Sequence, residues 1–295
     1  MSRNEEHSAT PADELKALVG QRPAIIASSA HASVARFEGT GSVLLHRAAN
    51  DLLLIPIDPC VLTVSVGAGA PQRMQACPYT AFILRAGNRI GIDYDDCRRI
   101  IALAIDPAWF NDIAARCEPG TDNAQLRTLL HPDMPPIVNA LRRHLSFPQS
   151  AHDRFIALNA ELIVSYCFWY GSPARTSHPP KAGLLTKSLQ RVLRQVEDNI
   201  DARIPITELA GSVGMSPSKF SRHFKAVLGL SPQAYIIERR VLKVQDLLED
   251  TGSTLAEVAL DAGFSSQAHM TSSFTRHFGI TPGEYRKHFL SQMNA

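Results

Sequence analysis

Glu208-Leu-Ala-Gly-Ser-Val-Gly-Met-Ser-Pro-Ser-Lys-Phe-Ser-Arg-His-Phe-Lys225 is answered 49 residues later by Glu257-Val-Ala-Leu-Asp-Ala-Gly-Phe-Ser-Ser-Gln-Ala-His-Met-Thr-Ser-Ser-Phe274. Ala210/Ala259 and Gly214/Gly263 match at an offset of 49, whereas Phe224/Phe274, Gly229/Gly279, Pro232/Pro282 and Tyr235/Tyr285 match at 50. The pattern is therefore an internal repeat with one residue of slack in the second turn. Each copy has the arithmetic of a helix-turn-helix. A small Ala lets two helices approach closely, and Gly four residues later permits the positive φ of the turn. Ser216 reads as an N-cap with Pro217 at the first helical position. Each copy then closes on Gly-[Leu/Ile]-[Ser/Thr]-Pro, and Glu284 stands three residues after Thr281, a capping-box spacing.

Periodicity places the side chains of the two second helices. In the first, Phe220 and Phe224 point inward, with Val227 or Leu228 continuing the stripe. The opposite face holds Ser218, Ser221, Arg222 and Lys225, with Lys219 at its edge. An Arg fork matches guanine O6 and N7, so Arg222 is the candidate base reader; Ser218 and Ser221 suit either base or phosphate. Lys219 and Lys225 suit phosphates. In the second helix Ala268, Thr271, Ser272 and Thr275 take the exposed face, and none carries a full charge. Gln267 can pair with adenine, and Ala268 and Thr271 with thymine methyls. His269 and Arg276 flank that face. Ser216 and Ser266, at the two helix starts, complete the candidate DNA-binding set.

This set resembles the AraC/XylS-type transcription regulators over about Gly183–Phe289. The matching residues include Leu209-Ala210, Gly214, Phe220/Arg222/Phe224-Lys225, Gly229 to Tyr235, Arg240, Leu247-Leu248, Ala262-Gly-Phe264 and Phe278 to Arg286. The resemblance implies two helix-turn-helix units joined by one long helix, binding successive major grooves on one face of double-stranded DNA. It also implies an N-terminal β-rich domain for effector sensing or dimerisation, and RNA polymerase as a further partner. The chain departs from the family at Ser272, where members commonly carry Arg. Arg239 and Arg240 in the joining helix are expected to be structural, paired with acids such as Glu238 or Asp246.

Working outward, Gly171 to Gly183 concentrates Pro, Gly and Ser and reads as a linker. The expected organisation is a sensor or dimerisation domain at 1–170, a linker at 171–183 and a DNA-binding domain at 184–292. Charge divides at the same place: residues 1–180 hold 16 Lys/Arg against 17 Asp/Glu, and residues 181–295 hold 14 against 11. The first part predicts a short helix near Ala12–Val19. Strand-like runs follow at Ala24–Ser28, Ser33–Phe37, Ser42–His46, Leu52–Ile57, Val61–Val66, Ala81–Leu84, Arg89–Ile92 and Ile100–Ile105, as in a small barrel or sandwich. With the family's usual architecture this suggests a metal-free, cupin-like barrel enclosing a ligand pocket. The fold class expected is thus α+β, a β-rich N-terminal barrel plus helices followed by an all-α C-terminal domain. Asp153–Tyr170 is apolar nearly all round and so has more than one face to bury, the second suiting a homodimer partner.

Other classes are disfavoured. The chain has 295 residues, 45% of them apolar and 20% charged, with a formal net charge of +2, which excludes a cationic wrapper of DNA but not a local basic face. No stretch is long and apolar enough to span a bilayer, and Met1 to Asp13 does not form a signal peptide. Five scattered cysteines without a C-x-x-C argue against zinc or a disulfide framework and for a cytoplasmic protein. His31 and His46 are isolated, no H-x-H metal motif or G-x-S-x-G elbow occurs, and neither catalysis nor a cofactor is expected. Cys60 and Cys77, each beside a proline, remain the thiols to check. Arg36, Arg47, Arg85 and Arg89 lie on or near strands, where they could serve an anionic effector or simply face water.

Overall fold

Unbroken apolar runs such as Leu52-Leu-Leu-Ile55 and Ile100-Ile-Ala-Leu-Ala-Ile105 need a sheet that is covered on both faces. The computed structural model shows that arrangement. It describes residues 9–20, 24–38, 41–95, 97, 99–117, 126–145, 153–171, 182–249 and 252–293. Two compact units divide the chain, Met1–Lys181 and Ala182–Ala295. Most of the expected linker, 172–181, lies outside the described residues.

The first unit is built from two antiparallel sheets. Helix α1 (Pro11–Val19) precedes strands β1 (Ala24–Ser28), β2 (Ala32–Glu38), β3 (Gly41–Leu45), β4 (Asp51–Pro56) and β5 (Cys60–Val66). Then follow β6 (Gln72–Ala76), β7 (Ala81–Leu84), β8 (Ile90–Asp95), β9 (Arg99–Ile105), α2 (Pro107–Cys117), β10 (Leu126–Leu129), α3 (Met134–Leu145) and α4 (Asp153–Gly171). One sheet has the order β1-β2-β9-β4-β7-β10 and the other β3-β8-β5-β6. β2 pairs with β9 from Ala32↔Ile105 to Glu38↔Arg99, so Ala35 and Phe37 share a face with Ile100 and Ala102. That face meets Leu62, Val64, Ile92 and Tyr94 of the smaller sheet, with Leu15 and Leu18 of α1 in the same core. Val34, Leu53, Ile101 and Leu103 alternate with these core residues and are also buried. Helix α4 packs against β1, β2 and β10 and carries α2 and α3. The smaller sheet alternates in the usual way: Cys60, Leu62 and Val64 are buried, whereas Val61, Thr63 and Ser65 are only partly so.

Two strands, β6 and β10, were not expected from the pattern. β6 reads Gln-Arg-Met-Gln-Ala and lies at the edge of its sheet, so few of its side chains need to be apolar. β10 is also an edge strand and is four residues long.

The second unit is helical: α5 (Ala182–Asp198), α6 (Ile206–Ser212), α7 (Pro217–Leu228), α8 (Pro232–Glu249), α9 (Leu255–Asp261), α10 (Gln267–Phe278) and α11 (Pro282–Met293). The α5 stripe Val192, Leu193, Val196 and Ile200 is buried. The repeat extends to the supports of each unit. Tyr235 donates to Glu197 of α5 at 3.4 Å, and its counterpart Tyr285 donates to Glu249 of α8 at 3.0 Å. Helix α8 therefore closes the first unit and supports the second as α5 supports the first.

Candidate nucleic-acid interface

Both units turn by the same geometry. Ala210 and Ala259 are buried where the helices meet. Gly214 has φ 67° and Gly263 φ 79°, the left-handed region that favours glycine. After each glycine the backbone N–H returns to the repeat alanine: Met215 N to Ala210 O at 2.9 Å, and Phe264 N to Ala259 O at 2.8 Å. Ser216 follows Met215 as N-cap of α7, whereas Ser265 and Ser266 both follow Phe264 before α10 begins. The slack residue is thus an additional serine at the end of the second turn. The two capping serines also differ. Ser266 accepts from His269 N at 3.2 Å, while the Ser216 side chain makes no capping bond. Pro217, at the first helical position, removes one of the N–H groups that have no partner within the helix.

The inward stripes are Phe220, Phe224 and Leu228 in α7, and Met270, Phe274 and Phe278 in α10. The repeat tyrosines meet them edge-on, Phe224–Tyr235 at 5.6 Å and Phe274–Tyr285 at 5.5 Å between ring centroids. Of the α7 candidates, Ser216, Ser218, Lys219, Arg222 and Lys225 are exposed and Ser221 is half-buried. Of the α10 candidates, Ser266, Gln267, Ala268, His269, Ser272 and Arg276 are exposed, while Thr271 and Thr275 are half-buried rather than open. The His269 ring stands edge-on to Phe264 at 5.2 Å, which gives it a local packing role. The first helix thus presents two lysines and an arginine, and the second one arginine at its far end. His223 is exposed on α7 although periodicity did not single it out.

The two arginines of the joining helix make structural contacts with α5 and its exit. Arg239 reaches Glu197 of α5, with Nε–Oε1 at 2.6 Å and Nη2–Oε2 at 3.0 Å. Arg240 binds backbone carbonyls. Its Nε donates to Ile200 O at 3.0 Å and its Nη2 to Ala202 O at 2.6 Å. Both arginines face the end of α5, a neighbour that is distant in sequence and invisible to a search for nearby acids. Desolvation lowers the Arg240 pKa, opposed by Asp201.

In the first unit, Arg85 is occupied structurally. It bonds Asp51 at 2.8 Å and Asn111 at 2.6 Å and lies 4.5 Å above the Phe110 ring. Arg36 is buried, 3.9 Å from Glu38, whereas Arg47 and Arg89 are exposed. His31 stacks on Trp109 at 5.8 Å, and His46 is exposed. Burial pushes the Cys77 and Cys167 thiols up to about 12, with Cys60 adding to the effect at Cys77. Such thiols are protonated at neutral pH and are poor nucleophiles. Among the described residues no three His, Cys, Asp or Glu side chains gather as metal ligands, and no helix is long and apolar enough to cross a membrane.

A helix-turn-helix domain family matches residues 209–288, which span α6 to α11. The Tn10 TetD protein of Escherichia coli is 34% identical over 110 residues, covering 37% of this chain and 80% of TetD. The chain belongs to the AraC/XylS family of DNA-binding transcription regulators. The virulence regulon transcriptional activator VirF of Yersinia enterocolitica is 36% identical over 97 residues, 33% of this chain and 36% of VirF. The match thus spans about a third of that relative's length. A solved AraC-type regulator from Chromobacterium violaceum is 32% identical with a TM-score of 0.34, covering 36% of this chain and 94% of that one. For this family member the repeat is the shared part, and the two-sheet unit lies outside these matches.

Proposed function

We propose that the protein is a sequence-specific transcription regulator that lays α7 and α10 into successive major grooves of double-stranded DNA. The observation that carries this reading is the repeat itself: two helix-turn-helix units, each with a buried stripe behind and an exposed polar face on its second helix. Arg222 reads a base, and Ser218 and Ser221 a base or phosphate. Ser216, Lys219 and Lys225 hold the backbone on the first unit. Gln267 and Thr271 supply the second readout, with Ser272 a weak neutral contact beside them and Ser266, His269 and Arg276 near phosphates. The first unit dominates sequence readout because it carries the charged donors.

Two further parts of the reading concern residues 1–170, read as a cupin-like domain. Helix α4 exposes Leu158, Leu162 and Trp169 at 55%, 41% and 48%. They recur at spacings of four and seven along one side, which supports a homodimer through 153–170. A small-molecule effector acting on the same domain is the family's usual control. The core between the sheets is filled by side chains such as Phe82 and Tyr94, which equally favours an effector-independent dimeric regulator. By kinship with VirF we assign activation of transcription, with RNA polymerase as partner, in the cytoplasm.

Genome-wide mapping of bound sites tests the central claim. The expected result is a discrete motif with two parts one helical turn apart, its more constrained half facing α7. Uniform, sequence-independent occupancy would overturn it.

A further inference from the structure

The repeat allows the two units to be compared at one position. Pairing Glu197 with Glu249 through their tyrosines sets Ser188 of α5 against Arg240 of α8, and Val192 against Val244. In the second unit this region is full. Val244, Phe264, Met270 and Phe274 are buried, and Arg240 reaches across to Ile200 and Ala202. A Cβ on Gly263 would strike Ile200 O and lie 3.0 Å from both Arg240 Nε and Asp201 Cα.

In the first unit the same region is open. A Cβ on Gly214 would meet nothing within 4 Å. Met215 stands where the second unit has Phe264, and Ser188 where it has Arg240. Between α5 and α7 this leaves a cavity of about 310 Å³ walled by Val192, Met215, Phe220, Phe224 and Val227. Among the described residues, Ser188 and His223 are the polar side chains that line it, and no acid does.

We propose that this cavity is a binding site for a small, flat aromatic acid, distinct from any effector site within residues 1–170. Its size is at the lower end for small-molecule sites, roughly 300–1,000 Å³. The second unit fills the equivalent space with one aromatic ring and one planar guanidinium, so a flat ligand matches what the first unit lacks. The surrounding charge selects an anionic head. His223 is on the wall, and exposed Arg191 of α5 donates to Ser212 O at 3.4 Å, next to the lining residue Val213. The cavity's far wall is the inner side of α7, whose outer side carries Ser218, Ser221, Arg222 and Lys225. A ligand here therefore biases the helix that reads DNA, and DNA in turn changes ligand affinity by the same factor.

The probe is 4-azidobenzoate, a planar photoreactive aromatic carboxylate, irradiated with the full chain and mapped by peptide mass spectrometry. Saturable labelling within residues 187–228 is expected. Met215→Phe with Ser188→Arg imports the second unit's own side chains and is expected to weaken labelling at least about tenfold, with melting temperature unchanged or raised. His223→Leu, at an exposed position that leaves the fold intact should the double variant unfold, is expected to weaken labelling by the acid more than by neutral phenyl azide. Labelling confined to residues 1–170 would support an effector site there and overturn this one. Equal labelling of both variants, or no saturable labelling, would also overturn it.

Discussion

Arg222 and Ser272 occupy equivalent places on α7 and α10, and both are exposed. The difference between a five-donor planar fork and a hydroxyl is the largest chemical asymmetry between the two helices. Arg222→Ala is expected to cost about 1–3 kcal/mol of operator binding and to relax the preference at the base pair it faces. Ser272→Ala should change binding by less than about 0.5 kcal/mol, the ordinary range for a surface substitution. Affinity measured across an operator library checks both, and equal losses would count against unequal readout. The residues on these faces were legible from spacing because α7 and α10 are regular helices. The partners of Arg239 and Arg240 were not, since they lie on α5 and its exit, some 40 residues away in sequence.

At the scale of elements, α4 and the helix starts carry the testable consequences. Leu158→Asp or Trp169→Asp is expected to give monomers with weakened operator binding, read by sedimentation velocity. Phe155 is a poorer probe, because its ring stacks on His144 at 4.1 Å and the substitution would damage packing within the protomer. Thr254 and Thr281 each begin a capping box with Glu257 and Glu284. The bond from the threonine backbone N–H to each carboxylate lowers its pKa from the ordinary 4.5. Folding therefore favours the ionised form. The stability this provides is present above the unfolded glutamate pKa and is lost as pH falls through the lower folded value. Glu257→Ala should lower the melting temperature at neutral pH, and the deficit should shrink in acid as the wild-type carboxylate is protonated and loses the same bond. A deficit that stays constant with pH would contradict the assignment. The capping box at Thr281 could be read from composition alone, because it needs only a local spacing. The edge strand β6 could not, since its stability comes from pairing with β5 rather than from its own apolar pattern.

For the whole molecule, the net charge of +2 conceals a division between a slightly acidic first part and a basic second part. Few placed cations imply few displaced counterions. Operator affinity is expected to fall only shallowly with salt, and Lys219→Ala and Lys225→Ala should each reduce the logarithmic slope by about one. A steep slope unaffected by either substitution would place the phosphate contacts elsewhere. The β-rich part was legible as strands because its turns are marked by Gly, Pro, Asn and Asp. Its division into two facing sheets was not, because which runs pair depends on contacts between distant segments. One feature of the helical part reaches furthest. Helix α8 buries Tyr235 and Ile236 against the first unit and Gln245 and Leu248 against the second. Neither reading head therefore owns a complete set of walls. Melting either one strips a face from the helix the other leans on, so local opening spreads from one to the other. In the language of hydrogen exchange, the two heads form a single foldon, and the slowest amides should lie along the shared helix. The two heads are therefore expected to order and to melt together.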